Sequence, residues 1–188
     1  MSSIVVAGDT SGTCTLQAPA VAGSTVLTLP AVSGTVITNT AGVVTQAMLS
    51  TNVAGNGPAF SATIGSAQAI TLNTTTKIAY SGVEFDTNSN YNGTLYRYTP
   101  TVAGYYQVSG GVQAAAAGQM ELYLYKNGSF ARLIAGIPAS TLGVWGSSLV
   151  SMNGSTDYIE LYVRTTVTTT LINSGAYCYF QAAMVRSA

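Results

Sequence analysis

"YRYTPTVAGYYQVSGG" runs from Tyr96 to Gly111 and sets two tyrosine-rich arms on either side of Pro100–Gly104. Proline fixes φ and glycine relaxes it, so Pro-Thr-Val-Ala-Gly reads as the hinge of a hairpin between extended segments. The arms have strand composition, aromatic and β-branched. The chain around them is nearly free of charge: 6% of its 188 residues are charged, against roughly a quarter in an ordinary soluble domain. A protein with so much aromatic side chain and so little charge must bury the first and replace the second.

Six Lys/Arg balance six Asp/Glu, for a formal net charge of zero. No basic footprint exists for nucleic acid or an anionic membrane surface. The repulsion that keeps copies apart is missing too, which suits a protein that works inside an assembly. No apolar run approaches the roughly 18 residues of a membrane span. The start, "MSSIVVAGDT", has neither the basic residues nor the apolar stretch of a signal peptide. Cys14 and Cys178 lie far apart; a disulfide between them is open, and two free thiols in a chain made in the cytosol is the preferred reading.

Outward from the quoted stretch, the chain from Ala59 onward reads as β. "ELYLYKNGSFARLIAG" holds two apolar strands around Asn127-Gly128, the strongest short hairpin signal. "NGTLYRYTP" begins after Asn92-Gly93, "SSLVSMNGSTDYIELYVRT" turns at Asn153-Gly154, and "SGAYCYFQAAMVRS" forms a last long strand. "VQAAAAGQ" has helical propensity but lies between strand signals, so its small side chains mark tight packing. About ten short strands predict an all-β antiparallel sandwich.

Residues 1–40 differ. "TCTLQAP", "STVLTLP" and "GTVITN" are short Thr- and aliphatic-rich pulses, each closed by Pro or a turn residue, and Pro-Ala-Val-x-Gly recurs after about ten residues. A segment so punctuated builds no core. It is expected to be an extended arm that adds strands to a partner, with Leu16, Val26, Leu27, Leu29, Val36 and Ile37 as its docking side chains; a disordered tail is the alternative. Residues 41–57 form a linker, and 58–188 the β domain.

Strand parity then sorts the tyrosines. In "DYIELYVRT", Ile159, Leu161 and Val163 share one face while Tyr158, Glu160 and Tyr162 share the other. Leu122 and Leu124 alternate with Tyr123 and Tyr125, and Cys178, Phe180, Ala182 and Met184 oppose Tyr177 and Tyr179. The aliphatic set is the expected core. The six tyrosines are the expected interface between subunits, because Tyr buries a large area and keeps a polar handle.

The blocks "AFSATIG", "FDTNSNYNG", "YTPTVAGYYQVSGG", "LYLYKNG", "TDYIELYV" and "YFQAAMV" follow one another in the order and spacing of a known family. Together they resemble a complement C1q-type globular domain, the jelly roll shared with tumour-necrosis-factor ligands. Thr99 replaces a Cys usual before the hinge Pro, and Thr156-Asp157 replaces a usual Gly-Asp. No ligand-binding residue carries over. The resemblance implies a homotrimer around a threefold axis. "LQAPAVAGSTVLTLPAVSGTVIT" resembles the repeat that opens many tailed-bacteriophage virion proteins. The pair implies a virion structural protein made in the host cytoplasm. It would be a capsid decoration protein docked by its arm on the major capsid or another virion protein, or a tail-fibre tip that recognises a host glycan or receptor.

Catalytic chemistry is thin. With no histidine in the chain, the Ser-His-Asp and Cys-His arrangements and His metal sites are excluded. Glu84 and Asp86, on one face of a short strand, are weak candidates for a cation or an acidic pair. The expectation is a non-enzymatic protein without a cofactor.

Overall fold

Two strands open the chain: β1 (Ser3–Ala7) and β2 (Thr13–Gln17) pair antiparallel, with Ile4 opposite Leu16 and Val6 opposite Cys14. The computed structural model describes these strands and residues 57–188, and the chain divides into two compact units, Met1–Val43 and Val44–Ala188. Of the expected docking residues, Leu16 lies on β2; Val26, Leu27, Leu29, Val36 and Ile37 lie outside the described residues.

Among its described residues the second unit carries eleven strands. They are β3 (Ala59–Thr63), β4 (Gln68–Ile70), β5 (Thr76–Lys77), β6 (Gly82–Asp86), β7 (Tyr91–Asn92) and β8 (Arg97–Tyr98), followed by β9 (Ala103–Lys126), β10 (Ser129–Asn153), β11 (Ile159–Thr165), β12 (Thr169–Leu171) and β13 (Tyr179–Ser187). Every pairing is antiparallel, and no helix occurs among the described residues.

Two strands of 24 and 25 residues organise this unit. β9 and β10 form one long hairpin closed at Asn127-Gly128, where φ values of 54° and 76° match the type I′ turn whose twist suits a hairpin. The hairpin is too long for one layer and passes through both. Its N-terminal half of β9 and C-terminal half of β10 join β13, β3 and β6; the other halves join β11, with β5, β8 and β7 beyond. The expected small-residue stretch is the crossing point. Ala115–Ala117 are exposed within β9, and the register of β10 opposite shifts between Ile137 and Gly143. Alanine suits a backbone that changes sheets, because no large side chain must choose a face there.

The two sheets meet through an aromatic block. Phe60 of β3 stacks on Tyr91 at 4.6 Å and on Tyr98 at 4.3 Å, and meets Phe180 of β13 edge-on at 4.8 Å. Leu122, Leu124, Ile159, Leu161 and Val163 fill the rest of the interior. Buried tyrosine hydroxyls need acceptors, and three find main-chain carbonyls. Tyr80 donates to Gly111 O (3.0 Å), Tyr91 to Tyr80 O (2.6 Å) and Tyr106 to Val102 O (2.7 Å). Burial raises the pKa of Tyr80, Tyr91 and Tyr98, and pushes Tyr106 up to about 12.

This corrects the reading of the quoted stretch. Its arms do not pair as a hairpin: β8 pairs with β7 and β11, whereas β9 pairs with β10, β11 and β13. Pro100–Gly104 turns a corner between sheets. Tyr98 and Tyr106 are fully buried, their rings 6.0 Å apart, so half of the stretch's aromatic mass belongs to the chain's own core. Cys178 is a free, buried thiol that accepts from Gln113 N at 3.2 Å, and burial raises its pKa.

Candidate interaction faces

Sheet register lays out two outer faces with different chemistry. On the first sheet, rows run across β3, β13, β9 and β10. One is Ser61–Gln181–Ser109–Ser147, extended to Phe85 of β6; the next are Ala59–Ala183–Gln107–Leu149 and Thr63–Tyr179–Gly111–Trp145. No residue of these rows is charged. Most are small, and large apolar side chains stand within and beside the rows: Phe85, Tyr105, Trp145, Leu149, Tyr177 and Val185 are all at least 42% exposed. The Trp145 indole lies across Gly111 and Gly143 and donates to Tyr177 O at 2.8 Å. A Cβ at Gly111 would come within 2.0 Å of that ring, so the glycine is what lets it lie flat.

The rows of the second face are Phe130–Tyr125–Glu160, Leu133–Tyr123–Tyr162–Lys77 and Gly136–Glu121–Arg164. Tyr125 stacks on Tyr162 at 4.0 Å, and Phe130 meets Tyr123 and Tyr125 edge-on. The charges here are paired. Lys77 holds Glu160, which is buried, and Arg164 Nη1 donates to Glu121 Oε2 at 2.9 Å. Tyr123 OH also donates to Glu121, and Tyr162 OH to Glu160 at 3.3 Å. The Tyr123 hydroxyl, then Arg164, hold the Glu121 carboxyl below the usual carboxylate range. Burial, then the neighbouring carboxylate, pushes Tyr123 and Tyr162 up to about 12.

The structure therefore divides the six tyrosines. Tyr123, Tyr125 and Tyr162 form one cluster on the second face. Tyr158 sits at its margin under the Arg97 guanidinium, 4.6 Å from the ring centre. Tyr177 and Tyr179 belong to the first face. Parity was right within each strand, but sheet membership is a tertiary property. The six expected interface tyrosines therefore fall in separate groups on the two outer faces.

Glu84 and Asp86 also separate. A bulge at β6 sets Ser61 opposite Phe85 but Ala62 opposite Val83, which interrupts the period-two spacing. Glu84 accepts from Ser61 Oγ, and Asp86 caps its own loop by accepting from Tyr91 N at 2.7 Å. Among the described residues, no group of three His, Cys, Asp or Glu side chains could hold a metal ion.

Sequence reasoning missed Tyr105, Trp145, Leu149 and Val185. A signal was present in "VWGSSLVSM", where Trp145, Ser147, Leu149 and Ser151 share one parity and are exposed, while Val144, Ser148 and Met152 are buried.

No family model and no curated protein matches this sequence. Solved structures do match. The globular domain of zebrafish complement 1qA protein superposes with a TM-score of 0.52 at 14% identity, over 70% of this chain and 99% of that one. Murine APRIL gives 0.54 at 8% identity, over 68% and 98%. Eiger TNF from S. frugiperda gives 0.50 at 7%, over 70% and 92%. The fold is the C1q/TNF jelly roll. At these identities the match speaks for the fold alone.

Proposed function

We propose that this chain is a non-enzymatic, homotrimeric structural protein of a tailed-phage virion. In this reading it is a capsid decoration protein, made in the host cytoplasm and docked through residues 1–40 on the major capsid or another virion protein. The observation that carries self-association is the first outer face. Its central rows carry no charged residue, and its rim of Tyr105, Trp145, Leu149 and Val185 would be left in water by a monomer. A ring of three closes when this face meets an adjoining edge of the next copy, so Tyr177 and Tyr179 fall in the interface. The virion assignment rests on the Pro-Ala-Val-x-Gly repeat of the first unit.

Copy number tests it: quantitative mass spectrometry of purified particles against the major capsid protein. Dozens to hundreds of chains per particle support decoration. A few trimers would move the protein to the tail, as a fibre tip recognising a host glycan or receptor. A polar cleft on the second face favours that second reading.

A further inference from the structure

Beside the tyrosine cluster, the second face holds a cleft of about 260 Å³ lined by Gln119, Glu121, Leu133, Gly136, Ile137, Pro138, Arg164 and Thr166. Its floor is built by register: Gly136, Glu121 and Arg164 are cross-strand partners on β10, β9 and β11. Gln119 and Thr166 come next, joined by a main-chain bond of 3.2 Å and by Gln119 N donating to Thr166 Oγ1 at 3.1 Å. Irregular register in β10 sets the wall of Leu133, Ile137 and Pro138.

We propose that this cleft binds one ring of a neutral pyranose sugar. The volume lies below the roughly 300–1,000 Å³ of sites for drug-sized ligands, which suits a single ring. The chemistry of the lining suits a polyol. Both named bonds to Glu121, from Tyr123 OH and Arg164 Nη1, end on Oε2. Oε1 therefore has no in-chain donor among the described residues and is available to accept from a hydroxyl. Arg164 engages Glu121 through Nη1 and Asn73 Oδ1 through Nη2 at 3.0 Å, using two of its five N–H groups. A carboxylate acceptor beside a guanidinium donor matches adjacent sugar hydroxyls, one donating and the other accepting. The Gln119 amide and Thr166 hydroxyl add donors and acceptors, and Leu133, Ile137 and Pro138 supply an apolar wall for ring C–H groups. The Glu121–Arg164 pair leaves no net charge, so neither an acidic nor an amino sugar gains from the site. This inference rests on the second face alone, and stands or falls apart from the trimer and the virion.

The test uses the full chain, its backbone amides followed by NMR during titration with the methyl glycosides of glucose, galactose, mannose and N-acetylglucosamine. Glucuronate and glucosamine serve as charged comparators. At least one neutral glycoside shifts the amides of Glu121, Gly136, Arg164 and Thr166, with Kd on the order of 1–10 mM for a single ring. Gly136→Trp fills the cleft and abolishes the shifts. Ser147→Ala, an exposed position on the other outer face, keeps them within about twofold. The proposal is overturned if none of the four neutral glycosides moves these amides, if only a charged sugar does, or if the shifts persist in Gly136→Trp.

Discussion

The two outer faces of this sandwich are built on the same strands, β9 and β10, yet their side chains meet different partners. On the second face, aromatic rings already stack on one another, hydroxyls have carboxylate partners and the charges are paired. On the first face, large apolar side chains stand among rows of Ser, Ala, Gly and Gln, with Glu84 on Ser61 and Arg186 opposite Tyr105 as the charges beside them. The difference teaches where a partner is needed. A side chain that has met its physical requirements within the chain gains little from a second copy, whereas an exposed apolar side chain gains by being covered.

The largest effect breaks the support common to both faces. Phe60 joins the sheets by touching Tyr91, Tyr98 and Phe180, and its ring is fully buried. Phe60→Ala is expected to cost about 3–5 kcal/mol, read as a lowered midpoint in urea unfolding. Next comes the contrast itself. Leu149→Asp puts a charge at the rim of the first face and is expected to convert the proposed trimer to a folded monomer in size-exclusion chromatography with light scattering. Tyr125→Asp on the second face is expected to leave the proposed trimer intact while losing its stacking on Tyr162 and its edge contact with Phe130, about 1 kcal/mol each beyond area burial. If Tyr125→Asp alone dissociated the protein, the two faces would have to exchange roles.

A smaller effect concerns the end of the long hairpin. Asp157 accepts from Asn127 Nδ2 (2.8 Å) and Asn153 N (3.0 Å) and pairs with Lys126 (2.7 Å), fixing both the turn and the loop into β11. These contacts, Asn127 first, hold its pKa below the ordinary Asp value. A depressed carboxylate stabilises above its unfolded pKa, and that stabilisation is lost as pH falls through the folded value. Asp157→Ala should cost about 1–2 kcal/mol at neutral pH, and its melting curve should converge with the parent below the ordinary Asp range. A gap that persisted into acid would assign Asp157 a role other than its charge.

Much of this fold was legible. Asn127-Gly128 announced the hairpin, and the alternation in "DYIELYVRT" and "AYCYFQAAM" put Ile159, Leu161, Val163, Phe180 and Met184 in the core, where they lie. These are local signals with a period of two, and the chain obeys them. What failed was global. Tyr98 and Tyr106 look the same in sequence as Tyr123 and Tyr125, but the first pair faces inward because the corner at Pro100–Gly104 turns the chain between sheets. Tyr179 and Tyr162 share a parity but not a sheet, because only the crossing of β9 at its alanines decides which layer each partner strand joins. The bulge at Glu84 left no mark that composition could carry.

The smallest expected effect is the sharpest test of a self-satisfied second face. Glu121 is held by the Tyr123 hydroxyl first and by Arg164 second. It is partly exposed, so its worth is better read as a titration than as stability. In the parent protein its carboxyl titrates below the ordinary glutamate range, by NMR of the side-chain carboxyl. Tyr123→Phe keeps the ring's edge contact with Phe130 and removes one hydroxyl, so the midpoint should rise toward the ordinary value with little change in unfolding. Arg164→Gln, which removes both a hydrogen bond and a charge, should raise it too. If Tyr123→Phe left the midpoint where it was, the hydroxyl would not be engaged in solution. The second face would then have polar groups still seeking partners, and the contrast with the first would narrow to charge alone.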